Sequence, residues 1–402
     1  MPHVLVVGAG PAGATLAFLL ARRGVDVTLI ERQRDFAREF RGEVLLPSGV
    51  DAVQQMGLGA AIEAVPHARP DSLAVFLNRR AVVSIALDAS LFGGIGPVAV
   101  SQPALLEAIV TEAARLPAFH FERGVTVRDL VRDGERVAGV RVATPEGERA
   151  LRADLVIGAD GRASVVRKRG GLASREQAPP MDIVWCKLPA LPGLRGVRGY
   201  IGRGHLLIAY HTHGEQLQVA WAILKGTFGE LRRRGIVEWI EVMAAHVSDD
   251  LAAHLRAHAH AVAHPFLLDA VSDRVLSWSL PGALVIGDAA HTMSPVGGQG
   301  LNVALRDAVV AANHLVPVLA SGADPAAIDA AARRIEFERV PEIVAVQRAQ
   351  AAPPRIVLAR AFWGEPLRRA FALLFRSGLA TRYVAAQARL FTYGVSPVRL
   401  AV

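Results

Sequence analysis

Residues 4–13 read VLVVGAGPAG and residues 25–32 read VDVTLIER, and these two stretches decide the fold. The first predicts a short apolar strand that runs into a glycine-rich turn, and the second predicts another strand that ends in a carboxylate. Gly8 permits the tight turn, Gly10 lets the backbone approach a pyrophosphate closely, and Gly13 lets the following helix pack against the strand. Together they predict a dinucleotide-binding strand–helix–strand unit.

The rest of this unit fits a bound dinucleotide. The N-terminus of its helix offers free N–H groups and the positive end of a dipole to phosphates. Glu31 lies 18 residues beyond Gly13, about the reach needed to accept a hydrogen bond from a ribose hydroxyl. Residues 4–21 are uncharged and could be interpreted as a membrane span, but their glycines and proline favour the turn. The predicted cofactor contacts of this unit are Gly8, Gly10, Pro11, Ala12, Gly13, Glu31 and Arg32.

Composition limits the class of protein. The chain has 402 residues, of which 52% are hydrophobic and 20% charged, so it is long and apolar enough for two or three folded domains. Its single cysteine, Cys186, excludes an intramolecular disulfide framework and a cysteine-rich metal site. We therefore expect no metal, a small core role for Cys186, and a reducing, cytoplasmic location.

The net charge of +8 invites a nucleic-acid interpretation, which the charge distribution does not favour. Only Lys168, Lys187 and Lys225 among the 45 basic residues are lysine, and the arginines are scattered along the chain. No known nucleic-acid-binding motif accompanies them. We expect no nucleic-acid partner.

The order of the segments predicts a discontinuous nucleotide-binding domain. Residues 72–88 alternate like strands, residues 125–151 predict a β-meander, and residues 302–350 are helical in period, with Pro317 and Pro341 as breaks. The predicted division is a nucleotide-binding domain of residues 1–75, 98–178 and 275–350, a substrate-binding sheet of residues 76–97 and 179–274, and a C-terminal helical region of residues 351–402.

Two further motifs make the prediction specific. Residues 156–167 read VIGADGRASVVR, and residues 284–302 read LVIGDAAHTMSPVGGQGLN. Each begins as a buried strand, turns at an Asp-Gly or Gly-Asp pair, and continues into a helix. An aspartate at such a turn can accept hydrogen bonds from ribitol hydroxyls, and glycines before a helix leave N–H groups available to the edge of a flavin ring.

In this order and spacing, the three motifs resemble the single-component (group A) flavin monooxygenases of the para-hydroxybenzoate hydroxylase type. The resemblance covers roughly residues 1–350 and implies an α/β fold. This fold has a Rossmann-like FAD-binding domain, an inserted and mostly antiparallel β-sheet for the substrate, and a helical C-terminal region. It also implies FAD as cofactor and NADPH or NADH as a transient co-substrate.

The resemblance also assigns positions to FAD. Arg41 and Gln102 would contact the cofactor, Asp160 would assist both FAD and nicotinamide, and Asp288 would bind the ribityl chain. The bland alternatives are that Asp160 and Asp288 cap helices and that Arg41 and Gln102 are ordinary surface or cap residues; His291 is interpreted as structural. The remaining residues assigned to the flavin are Gly287, Pro295, Gly297, Gly298, Gly300, Leu301 and Asn302.

In this family, a nicotinamide reduces the flavin, oxygen adds at its C4a position, and the hydroperoxide passes an oxygen atom to an electron-rich substrate. The resemblance therefore implies a monooxygenase that hydroxylates an apolar aromatic or quinone-like molecule. The alternative on the same fold is an FAD-dependent reductase of an unsaturated or prenylated substrate.

The strands of residues 196–224 are where substrate contacts are expected. Period-two alternation places His211 and Tyr210 on opposite faces, while Gln218 shares a face with the small residues Ala220 and Ala222. We take Tyr210, His211 and Gln218 as candidate catalytic residues and predict that the sheet around His211 and Gln218 roofs the site; the alternative for His211 is a solvated turn residue. Residues 204–222 carry no arginine that would favour a small carboxylate substrate.

Residues 355–390 combine aromatic side chains with arginines. A basic amphipathic helix of this kind can lie on a membrane surface. The preferred interpretation is helices that pack over the core or form a dimer surface, with peripheral membrane contact as the alternative. The expected partners are thus an aromatic substrate and O₂, in a monomer or homodimer.

Overall fold

The structure is a computed structural model that describes residues 2–37, 43–87, 94–176, 179–202, 204–212, 216–263, 265–358, 366, 370, 373 and 389–402. Its helices are α1 Pro11–Arg22, α2 Pro47–Gln55, α3 Gly59–Ala64, α4 Gln102–Ala113, α5 Val165–Arg169, α6 Phe228–Arg234, α7 Ile236–Ala244, α8 Asp249–Ala257, α9 Gln299–Ala320 and α10 Pro325–Val357. Its strands are β1 His3–Val7, β2 Asp26–Glu31, β3 Val44–Leu45, β4 His67–Ala68, β5 Ser72–Leu77, β6 Arg80–Ala86, β7 Val98–Val100, β8 Phe119–Arg123, β9 Thr126–Asp133, β10 Arg136–Thr144, β11 Gly147–Arg152, β12 Leu155–Gly158, β13 Ser174–Glu176, β14 Met181–Pro189, β15 Val197–Gly202, β16 His205–His211, β17 Gln216–Leu224, β18 Phe266–Asp269, β19 Asp273–Val275, β20 Ser279–Leu280, β21 Ala283–Val285 and β22 His291–Thr292.

A six-stranded, mostly parallel sheet organises the nucleotide-binding part, in the order β20-β21-β12-β1-β2-β8. Strand β1 pairs in parallel with β2 and with β12, and β12 pairs in parallel with β21. The side chains of Val4, Leu5 and Val6 are fully buried because helices cover this sheet. Since β1, β12 and β21 each precede one of the three sequence motifs, all three motifs lie at one edge of the sheet.

A seven-stranded sheet forms the second part, in the order β18-β14-β17-β16-β15-β5-β6. All its neighbouring pairs are antiparallel except β15 with β5, so the expected mostly antiparallel sheet is confirmed. The proposed division between residues 75 and 76 falls within β5, which pairs with β15 from Leu73 to Leu77. The strand therefore joins this sheet several residues before the proposed division.

The two faces of the seven-stranded sheet have different neighbours. Leu207 and Trp221 lie on a face covered by α7 and α8, where they belong to one buried cluster with Trp239. Ala220 and Ala222 point the other way and pack in a separate cluster that includes Val296, from the proline–glycine turn of the third motif. This second face, which we call the turn-side face, therefore looks toward that motif.

Helices α9 and α10 continue through the prolines at which breaks were expected. Pro317 lies inside α9 and Pro341 inside α10, and the chain instead turns at residues 321–324. Arg339 and Glu342, on either side of Pro341, are tied to α9 by buried ion pairs with Asp307 and Arg306. These contacts hold the helix through a residue that cannot donate a backbone hydrogen bond. By length and composition, Val296–Ala320 could also span a membrane. However, 72% of its apolar 18-residue window is buried inside the protein.

Several expectations fall on residues that the structure does not describe. Arg41 lies outside the described residues, and so does most of the stretch 355–390 that carries the question of membrane contact. Cys186 is described and buried in the cluster on the helix-covered face, where burial raises the pKa of its thiol to about 12. The expected core role of Cys186 is confirmed.

Candidate active site

The three sequence motifs touch one another through glycines that lack room for a side chain. A Cβ on Gly8 would lie 2.5 Å from the carbonyl oxygen of Ala159, in the second motif. A Cβ on Gly287, in the third motif, would lie 2.9 Å from the Cβ of Ala12. The first motif therefore contacts both of the others at the carboxyl edge of the parallel sheet, which is where open α/β sheets bind their ligands.

Gly10 differs from these glycines because the space beside it is open. A Cβ there would meet nothing closer than the Ala159 oxygen at 4.0 Å. Gly10 is also the N-cap of α1, and Pro11 occupies the first helical turn, where a missing N–H costs no hydrogen bond. The open space faces the N-terminus of a helix, so this turn can receive a phosphate group.

Glu31 lies beside the same turn, at the end of β2. It is only 4% exposed, and its carboxylate accepts hydrogen bonds from the backbone N–H groups of Ala9 (2.9 Å) and Gln33 (3.0 Å). These bonds fix the carboxylate next to the glycine turn. Arg32, the next residue, is exposed to solvent.

Asp160 caps a helix, as its bland alternative predicted. Its Oδ1 accepts a hydrogen bond from the Ser164 hydroxyl at 2.5 Å, and its Oδ2 accepts one from the Val165 N–H at 2.6 Å, at the start of α5. Burial raises the pKa of the Asp160 carboxyl above its ordinary value. Both oxygens of this carboxylate are therefore engaged within its own motif.

Arg167 connects the second motif to the third. Its guanidinium is 7% exposed, forms an ion pair with Asp273 at 3.2 Å, and donates to the carbonyl oxygen of Ala289 at 3.4 Å. Asp273 in turn accepts a hydrogen bond from the N–H of Thr292. The arginine of the DGxxSxxR pattern thus has a positioning role between two cofactor motifs.

Asp288 has the opposite character from Asp160. Its side chain is 36% exposed, and its charged neighbour is Arg162, with 3.5 Å between Oδ2 and Nε. Its short helical turn shows no side-chain capping bond. The capping alternative therefore does not describe Asp288, and its carboxylate is accessible to hydroxyl groups of a ligand.

The proline–glycine turn within the third motif has a tightly held backbone. Gly297 and Gly298 have φ values of 72° and 62°, in the left-handed region that favours glycine. The side chain of Gln350 donates to the carbonyl oxygens of Ser294 and Val296, next to Pro295. Gly300 and Leu301 follow in the first turn of α9. This fixed turn presents backbone groups at the start of a helix, as contact with a flavin ring edge requires.

Asn302 and Gln102 hold more ordinary positions. Asn302 donates to the Val44 carbonyl at 3.1 Å and accepts from the Leu46 N–H at 2.8 Å, so its amide fastens β3 to α9. Gln102 is the first residue of α4, directly after the N-cap Ser101. The side chain of Asn302 is thus a support for the site.

His291 belongs to a buried charge network, in agreement with its structural interpretation. Its Nε2 lies 2.6 Å from Oδ2 of Asp307, whose Oδ1 accepts a hydrogen bond from Arg339 at 2.8 Å. Burial opposes ionisation of Asp307, but His291 and Arg339 outweigh it and hold the pKa of Asp307 below its ordinary value. The network fastens the third motif to α9 and α10.

Tyr210 and Gln218 lie together on the turn-side face. Gln218 stands opposite Tyr210 on β16 and opposite Lys187 on β14, so the three form a row across the sheet. Gln218 is 2% exposed and Tyr210 is 7% exposed. A row of two buried polar side chains and a half-buried lysine on an otherwise apolar face is a candidate substrate contact.

The prediction that His211 shares this roof with Gln218 is wrong. His211 stands opposite Leu217 in the same ladder and therefore points to the helix-covered face. Its Nε2 accepts a hydrogen bond from the Leu191 N–H at 3.1 Å. Successive residues of a strand point to opposite faces of the sheet. Because Tyr210 shares a face with Gln218, the next residue, His211, must point to the other face.

Sequence reasoning missed Glu43 and Lys187. Glu43 is 5% exposed and precedes β3, and its Oε1 lies 3.4 Å from Nζ of Lys187. Its other oxygen, Oε2, is buried without a hydrogen-bond partner among the described residues. The available signal was a lysine inside the apolar strand MDIVWCKLP of a chain that uses arginine almost everywhere else.

These residues fit FAD. The open turn at Gly10, the carboxylate of Glu31 beside it, the accessible Asp288 and the fixed turn from Pro295 to Gly298 lie along one edge of the parallel sheet. They offer, in order, N–H groups for a pyrophosphate, an acceptor for a ribose, an acceptor for a ribityl chain and backbone groups for a flavin ring.

Comparison with known proteins finds relatives along most of the chain. The model of the FAD binding domain family matches residues 1–340. The chain is 33% identical to 6-methylpretetramide 4-monooxygenase of Streptomyces rimosus, across 99% of the chain and 93% of that protein. It is 28% identical to the ubiquinone hydroxylase UbiL of Rhodospirillum rubrum, across 81% and 74%.

Solved structures show the same fold. The p-nitrophenol 4-monooxygenase PnpA from Pseudomonas putida DLL-E4 superposes with a TM-score of 0.78 at 18% identity, covering 98% of this chain and all of that one. The P. aeruginosa protein PqsL, in complex with 2-aminobenzoylacetate, superposes with a TM-score of 0.78 at 22% identity, covering 89% of this chain and 97% of that one.

Proposed function

Because this chain belongs to the FAD binding domain family and is an FAD-dependent monooxygenase of the single-component type, we propose that it hydroxylates an apolar aromatic or quinone-like molecule with NAD(P)H and O₂. The substrate would lie against the turn-side face, between Gln218 and the turn at Val296. The position of this face carries the proposal: it is the side of the seven-stranded sheet that packs toward the third cofactor motif.

The shape of this face favours an apolar substrate. Ile183, Ala220 and Ala222 supply apolar surface, and the two alanines contribute only small side chains to it. Tyr210 and Gln218 add polar groups at one end of the same face. Two relatives carry names that refer to 6-methylpretetramide and to ubiquinone, which supports an apolar cyclic substrate.

When bound, FAD supplies both the acceptance of electrons from NAD(P)H and the activation of O₂. The residues of this chain bind and orient the reacting groups and exclude water from them. Burial keeps bulk water from Gln218, whose amide can fix the substrate in one orientation. Holding two reactants in a reactive geometry can contribute several kcal/mol, about 7–11 in the best cases, so loss of orientation is expected to be costly.

The test compares Gln218→Ala with His211→Ala as a matched control on the neighbouring strand. The assay measures hydrogen peroxide released per NAD(P)H oxidised, with hydroxylated naphthalenes and anthraquinones as the substrate panel. Gln218→Ala should keep its FAD and release more peroxide, because a loosely held substrate does not receive the oxygen atom, which then leaves as hydrogen peroxide. His211→Ala should retain wild-type coupling, since His211 lies on the other face. Unchanged coupling in Gln218→Ala would place the substrate elsewhere.

A second assay, product formation with and without O₂, separates the proposed reaction from the reductase alternative. A monooxygenase consumes one O₂ for each hydroxylated product, whereas a reductase forms its product under nitrogen. Product formation from an unsaturated or prenylated substrate without O₂ would contradict the proposed reaction.

A further inference from the structure

Glu43 has an unsatisfied oxygen that points to a ligand. Its carboxylate is 5% exposed, its Oε1 is 3.4 Å from the ammonium of Lys187, and its Oε2 has no partner in the described part of the chain. Burying an acceptor without a hydrogen bond is costly, so such an atom calls for an explanation, and a bound ligand is one. The position of Glu43 is nevertheless fixed: its carbonyl accepts from the Val100 N–H at 2.6 Å, and Asn302 fastens the next residues.

Asp182 shows what a purely structural pair looks like in this protein. It is also 5% exposed, and it lies in β14, where its Oδ1 is 3.3 Å from the ammonium of Lys225. Both of its oxygens accept backbone hydrogen bonds, from Gly226 at 2.9 Å and from Ala270 at 3.4 Å. Asp182 and Glu43 are thus equally buried carboxylates that each pair with a lysine, but only Glu43 keeps an open acceptor among the described residues.

The open acceptor lies beside the row of polar side chains on the turn-side face. Lys187, the partner of Glu43, stands opposite Gln218, whose Oε1 is likewise buried without a partner among the described residues. The Glu43 carboxylate is close enough to Tyr210 that it adds to the effect of burial and raises the pKa of the tyrosine hydroxyl. Tyr210 therefore stays protonated and neutral, while Glu43 and Gln218 offer acceptor atoms that need a donor.

We propose that Glu43, supported by Lys187, is the substrate-recognition residue that accepts a hydrogen bond from a ring hydroxyl of the aromatic substrate. This inference rests on the proposed function and adds the chemical class: a neutral, hydroxylated ring system. Lys187 balances the charge of Glu43, so the empty position at Oε2 needs a neutral donor. A carboxylate substrate, which is acceptor-only, would face the Glu43 carboxylate at short range and is rejected.

The experiment measures affinities of three probes for the FAD-loaded enzyme, from the change that each causes in the flavin absorbance spectrum. The probes are 2-naphthol, 2-methoxynaphthalene and 2-naphthoate, which share one ring system and differ in one group. The wild-type enzyme should bind 2-naphthol about tenfold more tightly than the other two, the size expected for one charge-assisted hydrogen bond.

Glu43→Gln should change the affinities of two probes in opposite directions. It should weaken 2-naphthol and strengthen 2-naphthoate, each by about tenfold, because it removes a charged acceptor from the first and a repulsion from the second. Asp182→Asn, the matched control, should leave the preference for 2-naphthol unchanged. The double variant Glu43→Leu/Lys187→Met, which leaves no unpaired charge, should bind 2-naphthol and its methyl ether equally.

Three results would overturn the inference. The first is that the wild type binds 2-naphthol and its methyl ether equally. The second is that in Glu43→Gln the affinities for 2-naphthol and 2-naphthoate change in the same direction. The third is that no probe perturbs the flavin spectrum up to its solubility limit. Flavin content and melting temperature of each variant show whether the fold is retained, and the double variant decides the question if Glu43→Gln does not fold. The proposed function fails separately, if no probe or panel compound yields an O₂-dependent product.

Discussion

Two neighbouring glycines should respond to the same substitution in opposite ways. Gly8 has a φ of 98°, and a Cβ on it would lie 2.5 Å from the carbonyl oxygen of Ala159, in the backbone directly after the buried strand β12. The left-handed conformation costs about 1–2 kcal/mol for a residue with a Cβ, and overpacking costs about 1–3 kcal/mol more. Gly8→Ala should therefore destabilise the flavin-free protein by roughly 2–5 kcal/mol.

Gly10→Ala should leave the flavin-free protein almost unchanged. The nearest atom to its Cβ is 4.0 Å away. The loss of glycine at an N-cap, up to about 1 kcal/mol, is offset by a less flexible unfolded chain, by about 0.4–1 kcal/mol. The methyl group would, however, occupy the open space next to the helix N-terminus, so the pyrophosphate would lose about 1.5–3 kcal/mol of charged hydrogen bonding.

The assay for both variants combines thermal unfolding of protein stripped of flavin with a titration of FAD followed by quenching of flavin fluorescence. Gly8→Ala should lower the melting temperature by several degrees, whereas Gly10→Ala should keep it and lower FAD affinity by roughly ten- to a hundredfold. Wild-type FAD affinity in Gly10→Ala would refute the reasoning, because it would show that the pyrophosphate does not pass over this turn.

Three further outcomes follow from the charged groups of the site. Asp288→Ala should weaken FAD binding by roughly ten- to a hundredfold without lowering the melting temperature of the flavin-free protein, because in the described part of the chain its exposed carboxylate has one charged contact, with Arg162 at 3.5 Å. Full flavin occupancy at high dilution would contradict this. Glu31→Ala should lower both stability and FAD affinity, because two backbone N–H groups lose their acceptor. Any flavin that remains bound should keep its normal visible spectrum, and a shifted spectrum at full occupancy would place Glu31 near the flavin ring. Because the folded-state pKa of Asp307 is depressed, its stabilising contribution is complete above its unfolded pKa and is lost as the pH falls below about 4. Between pH 5 and pH 3, the free energy of unfolding measured with denaturant should therefore fall less in Asp307→Asn than in the wild type. Equal losses would argue against the buried network.

The fold could be predicted from the sequence, and the motifs that lie at the edge of the parallel sheet could be located, because both depend on local patterns. A glycine that must adopt a positive φ, as at Gly8, and a carboxylate at the end of a strand, as at Glu31, are visible as residue types at fixed spacing. The consecutive buried strands of the parallel sheet are visible as short apolar runs. Each of these features is decided within about thirty residues of chain.

The substrate face could be predicted only in part, because it depends on pairing between distant segments. Alternation correctly separated Tyr210 from His211, but it could not say which face turns toward the third motif. That orientation follows from the packing of Val296 on the sheet, between residues far apart in sequence. Glu43 was inconspicuous for the same reason, since its partner Lys187 is 144 residues away. Asp160 caps α5, but a helix cap and a ligand contact call for the same residue type, so the sequence could not separate these two roles.

The most direct test of the account is the origin of the oxygen atom in the product. The compound of the panel that most stimulates NAD(P)H oxidation would be incubated with the FAD-loaded enzyme under ¹⁸O₂ in ordinary water, and the product analysed by mass spectrometry. The proposed hydroxylation gives a product that is heavier than its substrate by one ¹⁸O atom, and the fully coupled reaction consumes one NAD(P)H per product. A product that contains only oxygen from water, or that forms in the absence of O₂, would contradict it.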